Sequence, residues 1–230
     1  MANIDFKIPC WYKEGCNRKE YGCERICHRY MEMNHLINNC GMKNAHKYLK
    51  ALSPCENEVD AYMRLKHIKE HIKEFVEKGG NLYITSNWLQ TGKTSWALKL
   101  LYKYFDEIWA GNGFRTRGYF IYVPEFLQNV KMFEYKSTQE YKTINNVLKT
   151  ADLVVWDDIT GHSLNEQEQN ILNLYIDKRM TNDKANIFTG ITIDANEMSL
   201  QDMVGSRLAT RITTNCETVL FEGPSRVNRI

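Results

Sequence analysis

The sequence has no run of about 18 apolar residues, the length that a membrane-crossing helix requires. Its first residues, Met1 to Ile8, include Asp5 and Lys7 and no apolar stretch of signal-peptide type, so the expectation is a cytoplasmic chain. Net charge is nearly absent: 30 Lys and Arg stand against 28 Asp and Glu, leaving +2. There is therefore no global basic field, and any nucleic-acid contact must come from a local patch. Cysteine is almost missing from most of the chain, because of seven cysteines only Cys216 lies beyond residue 55. An odd number crowded into one short segment fits metal binding better than a disulfide framework. No internal repeat or low-complexity tract interrupts the pattern. What is present is 230 residues, 43% apolar and 25% charged. That is enough for one large α/β domain, or for a medium domain with a small appendage.

The stretch Tyr83-Ile84-Thr85-Ser86-Asn87-Trp88-Leu89-Gln90-Thr91-Gly92-Lys93-Thr94-Ser95 organises the rest. A β-forming apolar run leads into a tight loop, and a helical pattern follows from Trp96 to Leu101. Strand, loop and helix with Gly-Lys-Thr at the helix start are the context of a phosphate-binding loop. Backbone N–H groups at the helix N-terminus would meet phosphate oxygens, with Asn87, Gln90, Thr91, Gly92, Lys93, Thr94 and Ser95 lining the site. Lys93 would supply a point charge to the β- and γ-phosphates of ATP, and the Thr94 hydroxyl would ligate Mg²⁺. The usual first glycine of such a loop is replaced by Asn87. Asparagine tolerates positive φ better than other side chains, so the turn is expected to be kept there.

Downstream, Gly118 to Val123, Leu153 to Trp156, Asn186 to Ile191 and Thr218 to Phe221 read as strands, with amphipathic helices between them. Continuous apolar strands alternating with helices imply a parallel sheet covered on both faces. The strand Leu153 to Trp156 ends in Asp157-Asp158, at the carboxyl edge where open α/β sheets bind ligands. There Asp157 would organise the Mg²⁺ shell and Asp158 would orient or deprotonate the attacking water. The bland alternative is that both acids cap the next turn. Arg207 and Arg211 lie one turn apart on a later helical stretch, where they could pair with surface acids or stabilise transition-state charge on a neighbour's phosphate.

Residues 1–57 form an expected small unit with Cys10, Cys16, Cys23 and Cys27 beside turn-forming residues. So short a segment needs a staple, and tetrahedral Zn²⁺ on these four thiols is the first choice. His28 could replace Cys27, and Cys40 or Cys55 another ligand. Residues 58–80 read as a linker helix stopped by Lys78-Gly79-Gly80, and 81–230 as the large domain. Lys131, Phe133, Tyr135 and Lys136 are a candidate patch for single-stranded DNA.

The ordered set from Thr91-Gly92-Lys93-Thr94 through Asp152 to Ile159, Ile187-Phe188-Thr189-Gly190, Gly205 to Arg211, and Phe221 to Arg226 resembles the DnaC/DnaI-type helicase loaders. It also resembles the related IstB-like transposition ATPases, a branch of the AAA+ ATPases. The resemblance covers residues 81–230 and implies a P-loop AAA+ α/β domain without a separate lid. It implies ATPase activity, an arginine finger at Arg207 acting across a homo-oligomer interface, and a sensor arginine at Arg226. The zinc-binding start of DnaI-type loaders resembles the Cys-rich segment here. The implied partners are a hexameric replicative helicase and single-stranded DNA, and the reading extends to a phage or mobile-element origin. A transposition helper and a nucleotide-switched adaptor are the alternatives. Three positions depart from the family pattern: Asn87, Asp158 where many members have Glu, and Ile191 or Thr192 where Asn is usual. These departures favour nucleotide binding over fast hydrolysis.

The cysteine reading is checked by metal analysis of the full chain. About one zinc per chain is expected, with unfolding of the N-terminal unit on chelation. A metal-free and well-folded protein would overturn it.

Overall fold

The computed structural model describes residues 27–42, 49, 52–111, 113–133, 139–192 and 198–226. Five strands, β1 (Asn81–Ser86), β2 (Gly118–Tyr122), β3 (Leu153–Asp157), β4 (Ala185–Ile191) and β5 (Glu217–Phe221), form one sheet in the order β2-β3-β4-β1-β5. Every pairing is parallel. The strands are short apolar runs because both faces of the sheet are covered, and all five residues of β3 are buried.

Alternate side chains divide between the two faces. Leu82, Ile84, Leu153, Val155, Ile187, Val219 and Phe221 point to a core shared with α1 (His28–Asn38), α2 (Val59–Glu70), α3 (Ile72–Glu77) and α4 (Lys93–Ile108). Tyr83, Val154, Trp156 and Phe188 point to the other core. That face is covered by α5 (Val123–Phe133), α6 (Gln139–Thr150), α7 (Glu166–Thr181), α8 (Leu200–Val204) and α9 (Ser206–Thr214). The α/β architecture with helices on both faces is as the sequence implies.

Several local readings change. The single helix expected over 58–78 is α2 and α3, divided at His71, whose φ of −111° and ψ of 25° leave the helical region. Leu200–Val204 and Ser206–Thr214 are two helices that meet at Gly205. Residue 57 is not a boundary of packing for the described part of the N-terminal segment. Met33, Leu36, Ile37 and Cys40 lie in the same core as α4 and the sheet. The backbone N–H of Phe120 donates to the Cys40 carbonyl at 2.7 Å, which seats the end of this segment on the free edge of β2. Gly41 makes that approach possible: at φ +84° a Cβ there would collide with the Phe120 carbonyl and the Tyr119 ring.

The edge of the sheet opposite the phosphate loop is closed by buried polar groups. Arg179, 1% exposed, donates to Asn186 Oδ1 (2.8 Å) and to the carbonyls of Leu148 (2.8 Å), Ala151 (2.9 Å) and Ala185 (2.6 Å). Trp156 Nε1 donates to the same Asn186 oxygen at 3.1 Å. Asp152 binds Lys184 at 2.9 Å and also pairs with Arg117.

If α1 is integral to this core, Leu36→Ala lowers the unfolding free energy of the whole chain by about 2–4 kcal/mol within one cooperative transition. Denaturant titration followed by tryptophan fluorescence reads this. An unchanged main transition would show α1 to be a separate unit.

Candidate functional site

The loop between β1 and α4 is shaped by left-handed backbone at Gln90 (φ 58°) and Gly92 (φ 100°). Asn87 does not take a positive φ, so the expectation that it would replace the missing glycine in this way is corrected. Gln90 bears the strain, at a cost of about 1 kcal/mol for a side chain in that region. Leu52 packs directly on Gly92, with Cδ1 2.7 Å from where a Cβ would stand. Helix α4 begins with no side-chain cap and no acidic residue in its first turn, and Lys93, Thr94 and Ser95 open it. Its first N–H groups are thus left to the loop, as an anion-binding helix start requires. Lys93 Nζ lies inside the loop, donating to Ser86 Oγ (2.6 Å) and to the Trp88 carbonyl (3.1 Å). Burial pulls its pKa down to about 8, against the opposing pull of Asp158 and Asp157.

Parallel register places Trp156 beside Phe188, so Asp157 reaches Thr189 on the neighbouring strand. Asp157 Oδ1 accepts from Thr94 Oγ1 at 2.8 Å and from Thr189 Oγ1 at 2.7 Å. The carboxylate is 5% exposed, and burial pushes its pKa up to about 6 despite both hydroxyl donors. A buried carboxylate beside a threonine hydroxyl is an oxygen donor set suited to a hard cation such as Mg²⁺. Asp158 follows in the left-handed region (φ 59°), its N–H bonded to Thr189 Oγ1 at 2.9 Å. Its carboxylate lies over Gly161, where a Cβ would stand 2.6 Å from Oδ2. The polar residue of β4 that enters the site is therefore Thr189. Thr192 bonds Thr85 across the sheet instead (2.8 Å), and Ile191 packs on the core.

Arg226 is brought to the loop and Arg207 is not. Arg226 Nε donates to the Thr91 carbonyl (2.6 Å), Nη1 to Ser53 O (2.6 Å) and Nη2 to Glu58 Oε2 (2.7 Å). Its backbone N–H bonds the Gln90 carbonyl at 3.1 Å. Glu58 is fully buried, and the sequence reading passed over it. The side chain of Arg207 is 68% exposed on α9 and pairs with Asp177 of α7, as does Arg211 at 2.9 Å.

Cys10, Cys16 and Cys23 lie outside the described residues. Cys27 precedes α1, and His28 pairs with Glu32 at 3.3 Å. Among the described residues no three His, Cys, Asp or Glu side chains converge on a metal position. Of the proposed DNA patch, Lys131 is engaged with Glu168 at 2.8 Å, while Tyr135 and Lys136 fall outside the described residues. Among the described residues no helix is long and apolar enough to cross a membrane.

No family model and no curated protein matches the sequence. In three dimensions the chain is similar to a crystal structure of the DnaC helicase loader, at 17% identity and a TM-score of 0.63 over 79% of this chain and 100% of that one. It is similar to the structure of DnaI at 18% identity and a TM-score of 0.59, over 84% of this chain and 99% of that one. A third neighbour is the replication initiator DnaA bound to AMPPCP and single-stranded DNA, at 23% identity and a TM-score of 0.55. That match covers 77% of this chain and half of DnaA. The fold of DnaC and DnaI, expected from the resemblance of the motifs, is thus the fold of this chain.

The raised pKa of Asp157 is a liability that its ligand would relieve. An acid whose folded pKa lies above its unfolded value weakens the fold once pH exceeds that folded value, and the penalty vanishes below the unfolded one. Asp157→Asn keeps the acceptor oxygen and removes the charge. At pH 7.5 without divalent metal it raises stability by about 1–3 kcal/mol, a gain that disappears toward pH 4. Thermal or urea unfolding at the two pH values measures it, and equal stability of the two proteins at pH 7.5 would contradict the assignment.

Proposed function

We propose that this chain binds and hydrolyses ATP with Mg²⁺ and acts as a loader of a hexameric replicative DNA helicase onto single-stranded DNA. The observation that carries the nucleotide part is the meeting of Thr94 and Asp157 at 2.8 Å beside the half-buried Lys93, at the carboxyl edge of the sheet. The client is supported by the fold shared with DnaC, DnaI and a DnaA bound to AMPPCP and single-stranded DNA.

In this reading the α4 N-terminus and Lys93 receive the β- and γ-phosphates. Thr94 and Asp157 hold Mg²⁺, which supplies neutralising charge to the phosphate oxygens. Asp158 orients the attacking water and accepts its proton as the bond to the leaving β-phosphate oxygen breaks. Arg207, solvent-facing and paired with Asp177 of its own chain, serves the phosphate of a neighbouring copy. Residues 1–57, with zinc on Cys10, Cys16, Cys23 and Cys27, would grip the helicase. The DNA-binding residues proposed here are the stretch from Lys131 to Lys136.

ATP turnover by the full chain, with and without single-stranded DNA, is the first test. Lys93→Ala abolishes turnover. Arg207→Ala lowers it by about 10³-fold or more while leaving nucleotide affinity within about twofold. Nucleotide binding without Lys93-dependent turnover would make the protein a nucleotide-switched adaptor. Turnover without co-purification of the host's replicative helicase would point to another client, such as a transposition complex.

A further inference from the structure

Strand β1 ends on Ser86, a residue that none of the phosphate or metal chemistry above employs. Its side chain is fully buried. Its hydroxyl donates to the Trp88 carbonyl at 2.6 Å and accepts from Thr91 Oγ1 at 3.1 Å and from Lys93 Nζ at 2.6 Å. One proton and two lone pairs are all that a hydroxyl offers, so Ser86 Oγ is saturated. Its partners belong to three parts of the loop. Trp88 lies in the first half, Thr91 in the second, and Lys93 opens the helix.

The backbone explains why such a hub is needed. The residue after Ser86 is Asn87 rather than glycine, and it keeps a negative φ. The first half of the loop therefore turns without the freedom that glycine provides. A serine hydroxyl bonded to the carbonyl two residues on closes such a turn through a side chain. The same oxygen then ties in Thr91 and receives the ammonium of Lys93. The lysine's other acceptors are the Trp88 carbonyl at 3.1 Å and Thr91 Oγ1 at 3.5 Å, and both are themselves fastened to Ser86. Among the described residues, each oxygen hydrogen-bonded to the half-buried ammonium is thus Ser86 Oγ or an atom that Ser86 holds.

We propose that Ser86 is the positioning residue of this phosphate loop. Its hydroxyl shapes the loop in place of the absent glycine and aims Lys93 at the phosphates of a nucleoside triphosphate. The role in nucleotide binding rests on the function proposed above; the hold on Lys93 does not. When phosphate enters, the ammonium exchanges acceptors for phosphate oxygens, and Ser86 keeps Trp88 and Thr91 joined so that the loop stays formed. Ser86→Ala leaves the Trp88 carbonyl without its hydroxyl donor and Lys93 without its nearest acceptor.

Two measurements on the full chain test this. In nucleotide-free protein, Lys93 is acylated with an amine-reactive ester and quantified by mass spectrometry, with exposed Lys78 as the internal standard. Ser86→Ala raises the Lys93 rate by about fivefold or more, while Ser86→Thr, which keeps the hydroxyl, stays within about twofold. The second measurement is binding of a fluorescent ATP analogue. Ser86→Ala weakens it by about 10-fold and Ser86→Thr restores it. Adding Asn87→Gly to Ser86→Ala recovers affinity but not the shielding of Lys93, because glycine restores the turn and not the acceptor. Wild-type labelling of Lys93 in Ser86→Ala would overturn the proposal. So would equal loss of affinity and of melting temperature in the Ala and Thr variants, which is the signature of a packing role. If wild-type protein bound no nucleotide, the functional reading would fail, and the labelling would still decide whether Ser86 holds Lys93.

Discussion

The buried carboxylate of Asp157 is the constraint around which the rest of the site is arranged. A carboxylate at 5% exposure needs hydrogen bonds and a counter-charge. It takes one hydroxyl from α4 and one from β4, at 2.8 and 2.7 Å. The only cation aimed toward it among the described residues is Lys93, whose own pKa burial has lowered to about 8. Neither charge is fully compensated by the other. Under the proposed function, the ligand would bring both anionic oxygens for Lys93 and a cation for Asp157. A metal–triphosphate complex is such a ligand.

The two edges of the sheet handle buried polar groups differently. At the amino edge, Arg179 distributes its donors over Asn186 and four backbone carbonyls, and Asn186 also serves Trp156. That network is complete within the chain and fixes the start of β3 and β4. Their register is thereby set, and with it the position of Asp157 beside Thr189 at the other end. The carboxyl edge holds a raised carboxylate, a lowered lysine, and left-handed backbone at Gln90 and Asp158. Strain concentrates where a ligand would relieve it, which is the usual relation between a rigid scaffold and a functional edge.

Much of this was legible in the sequence because it is local. The apolar strands, the Gly-Lys-Thr at a helix start and the acids at the end of β3 each occupy a few consecutive residues, and each lies where its pattern implies. What escaped depends on register or on distant packing. The sequence pattern points to Ile191 or Thr192 for the polar position of β4, whereas Thr189 fills it. Only the pairing of Trp156 with Phe188 shows which residue meets Asp157. Asn87 was credited with a turn that Ser86 makes through its side chain, and a hydroxyl's direction is not written in composition. Helix α1 carries Cys27 and His28 at its start and so reads as part of a cysteine-rich unit. Its Met33, Leu36 and Ile37 nevertheless complete the core beside α4.

Arg226 and Glu58 show how far such a long-range element can reach. They stand 168 positions apart and form a part-buried pair at 2.7 Å, with Glu58 fully buried. Removing water from both charges is costly, and a lone pair of this kind is weak support for a fold. Here the guanidinium also donates to the Thr91 and Ser53 carbonyls, and the Glu58 carboxylate accepts the Cys55 N–H at 3.0 Å, so the pair is embedded in further charge-assisted bonds. The result is a clamp joining the phosphate loop, the segment before α2 and the segment after β5. Losing any one partner would leave a buried charge short of its bonds, so these three segments are energetically one unit. The phosphate loop is thus held from inside by Ser86 and from outside by Arg226. Its conformation is then less a property of the Gly-Lys-Thr sequence than of two side chains that the loop pattern does not contain.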